Sequence, residues 1–195
     1  HPTIIKFIGY SKLDFQGENN IVIIMELAKN GSLADALKKI QESDGPKNYT
    51  NTIRQIILVG VARGMKYLHD RNIIQRDLKP GNILLDEDLY PHITDFGMSK
   101  IFEPGHSYSQ SQFGGTLAYI APEIFLNERY GTKVDVYSFG ILMYEILTDS
   151  VPYPDLISGL IPDHKFRSKV IDDNYRPEFK YPIKKSFRQL IEKCW

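Results

Sequence analysis

The stretch that most constrains this chain is Ile74-Gln75-Arg76-Asp77-Leu78-Lys79-Pro80-Gly81-Asn82-Ile83-Leu84-Leu85-Asp86. A carboxylate, an ammonium and an amide stand at 77, 79 and 82 between two short apolar runs. Ile73-Ile74 delivers the chain to the polar part and Ile83-Leu84-Leu85 takes it away. Pro80 removes a backbone donor and Gly81 permits unusual dihedrals, so the polar part reads as a tight loop between strands rather than a helix. Such a loop aims a proton acceptor, a phosphate-binding cation and a metal-binding oxygen at one small volume.

Two further stretches answer it. Ile93-Thr94-Asp95-Phe96-Gly97 sets another carboxylate between a short apolar strand and a flexible Gly, and Gly115-Thr116-Leu117-Ala118-Tyr119-Ile120-Ala121-Pro122-Glu123 follows downstream. With these three in order the chain resembles the eukaryotic protein kinases. Their catalytic-loop pattern H-R-D-L-x-x-x-N, then D-F-G, then A-P-E, recurs here with one mismatch, Gln75 in place of His. The resemblance runs from His1 to Trp195 but does not take in the whole of the family's domain.

Composition agrees and excludes some alternatives. The chain has 195 residues, 42% hydrophobic and 25% charged, with formal net charge +0, enough for one core or most of a larger one. Zero net charge gives no support for a nucleic-acid or membrane-surface partner. The single cysteine, Cys194, suits a reducing compartment, and a cytoplasmic location is expected. No apolar run approaches the ~20 residues of a membrane helix. The abrupt start at His1-Pro2 and abrupt end are those expected of a fragment.

Taken in order, Ile4–Ile8 and Ile21–Met25 read as two antiparallel strands around the turn-like 14–20. Ser32 is the expected N-cap of a helix through Ile40, and 43–48 is a loop. From Thr50 to Leu68, Ile53, Ile56, Ile57, Val61, Met65 and Leu68 fall at helical spacing; Gly60 and Gly64 on one face imply a close neighbour. Short strands flank Asp88-Leu89-Tyr90. The stretch 100–115 is polar and aperiodic. A helix apolar nearly all round is expected over Lys133–Leu147, a loop around Pro152, Pro154 and Pro162, and a last amphipathic helix from about Ile183 to the end.

The resemblance implies an α+β, protein-kinase-like fold, a mostly helical C-lobe carrying only the last strands of the N-lobe. It makes 1–26 the end of the N-lobe, 27–31 the hinge and 32–195 the C-lobe, lacking its C-terminal end. The family's Gly-rich loop, ATP lysine and the lysine's acidic partner would lie before His1. The Arg that pairs with the A-P-E Glu would lie beyond Trp195, leaving Glu123 without it. By resemblance Asp77 is the catalytic base and Lys79 contacts the transferring phosphate. Asn82 and Asp95 are Mg²⁺ ligands, and hard oxygens suit that ion. Met25 is the gatekeeper, Glu26 and Ala28 offer backbone groups to adenine, and Leu84 covers its face. Thr116 reaches towards Asp77 and Lys79. Arg76 receives an activation-loop phosphate, with Ser109 and Ser111, beside Ser107 and Tyr108, as candidate acceptors. Phe96, Gly97, Glu123, Asp135 and Gln75 are structural, Asp135 supporting the catalytic-loop backbone, since a carboxylate in so apolar a helix needs partners.

Gln75 is the departure. It can hydrogen-bond backbone but cannot reproduce the stacking of the family's His, so a weakened active arrangement and a harmless variant both stay open. His69 reads as a capping or surface group. Lys79 and Thr116 resemble serine/threonine-specific members, and Asp135–Leu142 with Tyr175-Arg176-Pro177 resembles the tyrosine-kinase-like group. The implied activity is transfer of the ATP γ-phosphate to a Ser or Thr hydroxyl of a protein substrate in signalling (EC 2.7.11.-), with ATP and Mg²⁺. The fragment alone is expected to be inactive. The alternative is a pseudokinase or docking module that binds partners without turnover.

Overall fold

A computed structural model describes residues 1–42, 45, 48–101, 116–126 and 128–195. Strands β1 (Phe7–Ser11) and β2 (Val22–Met25) pair antiparallel, Tyr10 opposite Ile23. The first strand begins later than the β-branched run suggests because residues 3–5 are engaged elsewhere. Ile5 N–H donates to the Ile93 carbonyl at 2.9 Å and Ile93 N–H to Thr3 at 3.0 Å. Helix α1 (Leu33–Gln41) starts on Ser32, whose hydroxyl accepts the Asp35 N–H while Asp35 reaches back to the Ser32 backbone, satisfying two otherwise orphaned donors.

Helix α2 (Asn51–His69) is capped by Thr50 and buries Ile57, Val61, Met65 and Leu68. Its glycines do meet a close neighbour. A Cβ on Gly60 would stand 2.5 Å from Pro91 Cγ, and one on Gly64 2.6 Å from Ile93 Cδ1. That neighbour is β5 (Pro91–Ile93), paired antiparallel with β4 (Ile83–Leu85). The short β3 (Ile73–Ile74) pairs with β6 (Lys100–Ile101), so the polar stretch from Lys100 opens as a strand. Its remainder, with Ser107, Tyr108, Ser109 and Ser111, lies outside the described residues, as does most of the loop over 43–48.

Downstream come α3 (Pro122–Phe125) and α4 (Lys133–Thr148), the latter buried on nearly every side. Of the three prolines expected in a loop, Pro152 lies in one, but the other two start helices. Pro154 opens α5 (Pro154–Ile157) and Pro162 precedes α6 (Asp163–Asp172), because proline's fixed φ suits a first turn whose N–H groups lack partners anyway. Helix α7 (Lys185–Glu192) is shorter than the amphipathic pattern.

One core cluster joins α1, α2, β4, β5, α4 and α7; a second joins α3, α4 and α6. Both use α4, through Leu142 and Ile146 in the first and Val134 and Ile141 in the second.

Candidate active site

The site is built on Asp135. It sits in α4 at 1% exposure, and a carboxylate that buried must be hydrogen-bonded. Its Oδ2 accepts the Gln75 N–H at 3.0 Å and its Oδ1 the Arg76 N–H at 2.8 Å. His69 Nε2 lies 2.8 Å from Oδ2. His69 is therefore no surface cap. It closes the last turn of α2 onto α4, and its partner, far along the chain, gave no local signal.

Held this way, Arg76 adopts a left-handed backbone, φ 71°, and turns the chain into the polar loop. Its guanidinium donates to the Met98 carbonyl at 3.3 Å and lies 5.7 Å from the centre of the Tyr130 ring. Asp77 follows, buried, and its Oδ2 accepts Lys79 Nζ and Asn82 Nδ2, both at 2.8 Å. Asn82 Nδ2 also bonds the Asp77 carbonyl at 2.8 Å. Among the described residues Asp77 Oδ1 and Asn82 Oδ1 keep no protein partner. The one-turn helix Pro80–Asn82 packs these groups together before β4 leads away.

Asp95 joins through the backbone. Thr94 N–H donates to the Asn82 carbonyl at 3.0 Å, which sets the next residue beside the loop. Asp95 is itself left-handed, φ 56°, and exposed; its Oδ1 accepts the Gly97 N–H at 3.3 Å. Phe96 packs half-buried on the first core. The structure thus brings Asp77, Lys79 and Asn82 into direct contact and places Asp95 alongside by main-chain pairing.

Where the sequence places the approach to a hinge, Met25 ends β2 and is 43% exposed rather than core. Glu26 N–H donates to the Lys6 carbonyl, and its Oε1 accepts the Lys6 N–H at 2.9 Å and contacts His92 Nδ1 at 3.3 Å. The Ala28 carbonyl accepts Gly31 N–H in the turn before α1. Leu84 lies on β4 opposite His92 and is bridged to Ser32. Thr116 lines a cavity of about 430 Å³ with Lys79, Gly81, Tyr119 and Glu145. Glu123 is half-buried in α3, and its carboxylate makes no hydrogen bond or ion pair among the described residues.

Glu145 escaped the sequence reading. Two turns and more beyond Asp135 on α4, it accepts the Tyr119 phenol. Burial pushes its carboxyl up to about 7, against the opposing pull of that hydrogen bond. The signal was available, since it is a second carboxylate in a helix apolar nearly all round.

The Protein kinase domain family matches residues 1–195, and the chain belongs to that family. A probable serine/threonine-protein kinase of Dictyostelium discoideum is 37% identical over 196 residues, covering all of this chain and 17% of that protein. The RGS domain-containing serine/threonine-protein kinase A of the same organism is 34% identical over 195 residues, all of this chain and 16% of that protein. A putative serine/threonine-protein kinase/receptor of Acanthamoeba polyphaga mimivirus is 37% identical over 198 residues, all of this chain and 11% of that protein. The chain thus spans less than a fifth of the length of these relatives.

Protein kinase domains in general use ATP with Mg²⁺. Among the described residues no cluster of three or more His, Cys, Asp or Glu could hold a metal ion by itself. The groups that could serve instead are one carboxylate, Asp95, and Asn82 Oδ1, which has no partner among the described residues. That set fits a small hard cation that keeps most of its positions for phosphate and water oxygens. No helix among the described residues is long and apolar enough to cross a membrane.

Proposed function

We propose that this domain transfers the γ-phosphate of ATP to a Ser or Thr hydroxyl of a protein substrate. The observation that carries the reading is the Asp77–Lys79–Asn82 contact on a loop hung from a buried carboxylate. Asp77 Oδ1, without a partner among the described residues, takes the hydroxyl proton, while Lys79 and Asn82 hold Oδ2 and fix the carboxylate's orientation. Lys79 also lines the cavity it shares with Thr116, and its ammonium would offset negative charge on the oxygens of the transferring phosphoryl group. Asn82 Oδ1 and Asp95 would hold Mg²⁺, which neutralises charge on the phosphates. Met25, Glu26, Ala28 and Leu84 form the adenine edge and face, and Arg76 receives a phosphate from the segment containing Ser109 and Ser111.

On the same reading residues 1–26 end the N-lobe, 27–31 are the hinge and 32–195 the C-lobe. The names of the relatives support Ser/Thr specificity, and Asp135–Leu142 with Tyr175–Pro177 supports the tyrosine-kinase-like group. The lone Cys194 supports a cytoplasmic location. Residues 1–195 by themselves are inactive in this reading, because neither a Gly-rich phosphate loop nor its partner lysine is among them.

Incubation of the full-length protein with ATP, Mg²⁺ and a peptide library, followed by phospho-amino-acid analysis, tests this. Phosphoserine and phosphothreonine are expected, reduced about 10²–10⁴-fold by Asp77→Asn. Predominant phosphotyrosine would sink the Ser/Thr assignment, and turnover indifferent to Asp77→Asn would sink the site.

A further inference from the structure

The geometry points to Gln75 as the positioning residue that holds Asp77 and the Asp95 segment in one register, through the two ends of its amide. This rests on the kinase reading for its meaning but not for its test. Gln75 is completely buried, at 0% exposure. Its Oε1 accepts the Asp77 N–H at 2.7 Å. Its Nε2 donates to the Asp95 carbonyl at 3.1 Å and to the Thr94 carbonyl at 3.4 Å. Its own N–H is held by Asp135, so the side chain is cantilevered from α4 and reaches both halves of the site.

What it braces is strained on both sides. Arg76, between Gln75 and Asp77, has φ 71°, and Asp95, whose carbonyl it holds, has φ 56°. Non-glycine residues stay in that region only when their surroundings over-determine them. The bonds from Gln75 hold the peptide after Arg76 and the carbonyl of Asp95, the two places where that determination is needed. The departure from the family's His is therefore no defect of packing alone. An amide supplies one acceptor and one donor, which are the two functions the buried gap presents.

That chemistry separates the substitutions. Glutamate keeps the shape and the acceptor but loses the donor, and sets a carboxylate against the Asp95 carbonyl. Methionine keeps the length and loses both ends. Neutral histidine offers one acceptor and one donor.

The test is amide hydrogen exchange of the nucleotide-free, full-length protein at pH 8, comparing wild type with Gln75→Glu, Gln75→Met and Gln75→His. Three amides report. Asp77 donates to Gln75 itself, Gly97 to the Asp95 carboxylate and Ser99 to the Phe96 carbonyl, both in the segment that Gln75 holds at Asp95. Gln75→Glu should speed exchange at Gly97 and Ser99 about tenfold, the loss expected of one buried hydrogen bond, while Asp77 changes less. Gln75→Met should speed all three. Gln75→His should restore protection at all three, and α2 amides should stay as in wild type throughout, showing that the domain is folded. Equal protection of Gly97 and Ser99 in wild type, Gln75→Glu and Gln75→Met would overturn the proposal. So would loss confined to Asp77, since that makes Gln75 a local prop. A protein without phosphotransfer that still shows the predicted exchange pattern would refute the kinase reading and leave this inference standing.

Discussion

Glu145 changes charge within the range where proteins are usually handled. Its carboxyl is raised from 4.5 to about 7, chiefly by burial. In the unfolded chain the proton leaves near 4.5, while the folded chain keeps it until about 7. Over that window the native state binds more protons, so stability falls as pH rises and levels off above it. The full shift corresponds to about 3 kcal/mol as an upper figure. Glu145→Gln keeps a partner for the Tyr119 hydroxyl and removes the titration. Urea unfolding should therefore find the variant more stable than wild type at pH 8 and close to it at pH 4.5, whereas equal pH profiles would acquit Glu145. At this scale the sequence was half legible. The need of Asp135 for partners followed from its apolar neighbours, but His69 as one of them did not, since nothing local links the end of α2 to α4.

Close packing between elements is set by two missing side chains. The Cβ positions of Gly60 and Gly64 are taken by Pro91, Ile93 and Thr3, so α2 lies directly on β5 and the chain before β1. Gly60→Ala gains up to about 1 kcal/mol of helix propensity but must displace a proline ring, an overpacking cost of about 1–3 kcal/mol. A net loss of stability is expected in denaturant titration, and a gain would mean that β5 yields easily. The pair of glycines was readable as a demand for a neighbour, and the periodic stripes of α2 and α4 were readable as buried faces. Elements with few buried residues were not. Helix α6 buries only Phe166 and Val170, too thin a stripe to outweigh Pro162. Strand β6 is two residues that pair with β3 across the loop, a long-range contact that no local pattern announces.

Across the whole molecule the apolar surface is unevenly spread. The β1–β2 ribbon and its flanks expose Phe7, Tyr10, Ile23 and, most fully, Phe15 at 95% and Leu27 at 84%. Patches of that kind mark contact surfaces. A polypeptide of residues 1–195 alone should self-associate through this ribbon. Light scattering should report oligomers at micromolar concentration, and Phe15→Ser with Leu27→Ser should shift them towards monomer. A monodisperse wild-type fragment would count against it. The interior is different: α4 runs through both cores and carries Asp135 at its first turn. Because the peptides of Gln75 and Arg76 are fastened to that helix, the polar loop has little freedom to flicker on the nanosecond scale of ordinary loops. Among the described residues, the Asp95 segment is tied to the loop held by α4 through hydrogen bonds from Gln75 and Arg76 and through the Asn82 carbonyl. Relative motion of the two halves must then come as a slow shear of packed elements, in the microsecond-to-millisecond range. The tempo expected of this polar loop is thus that of a buried helix rather than of the loop itself.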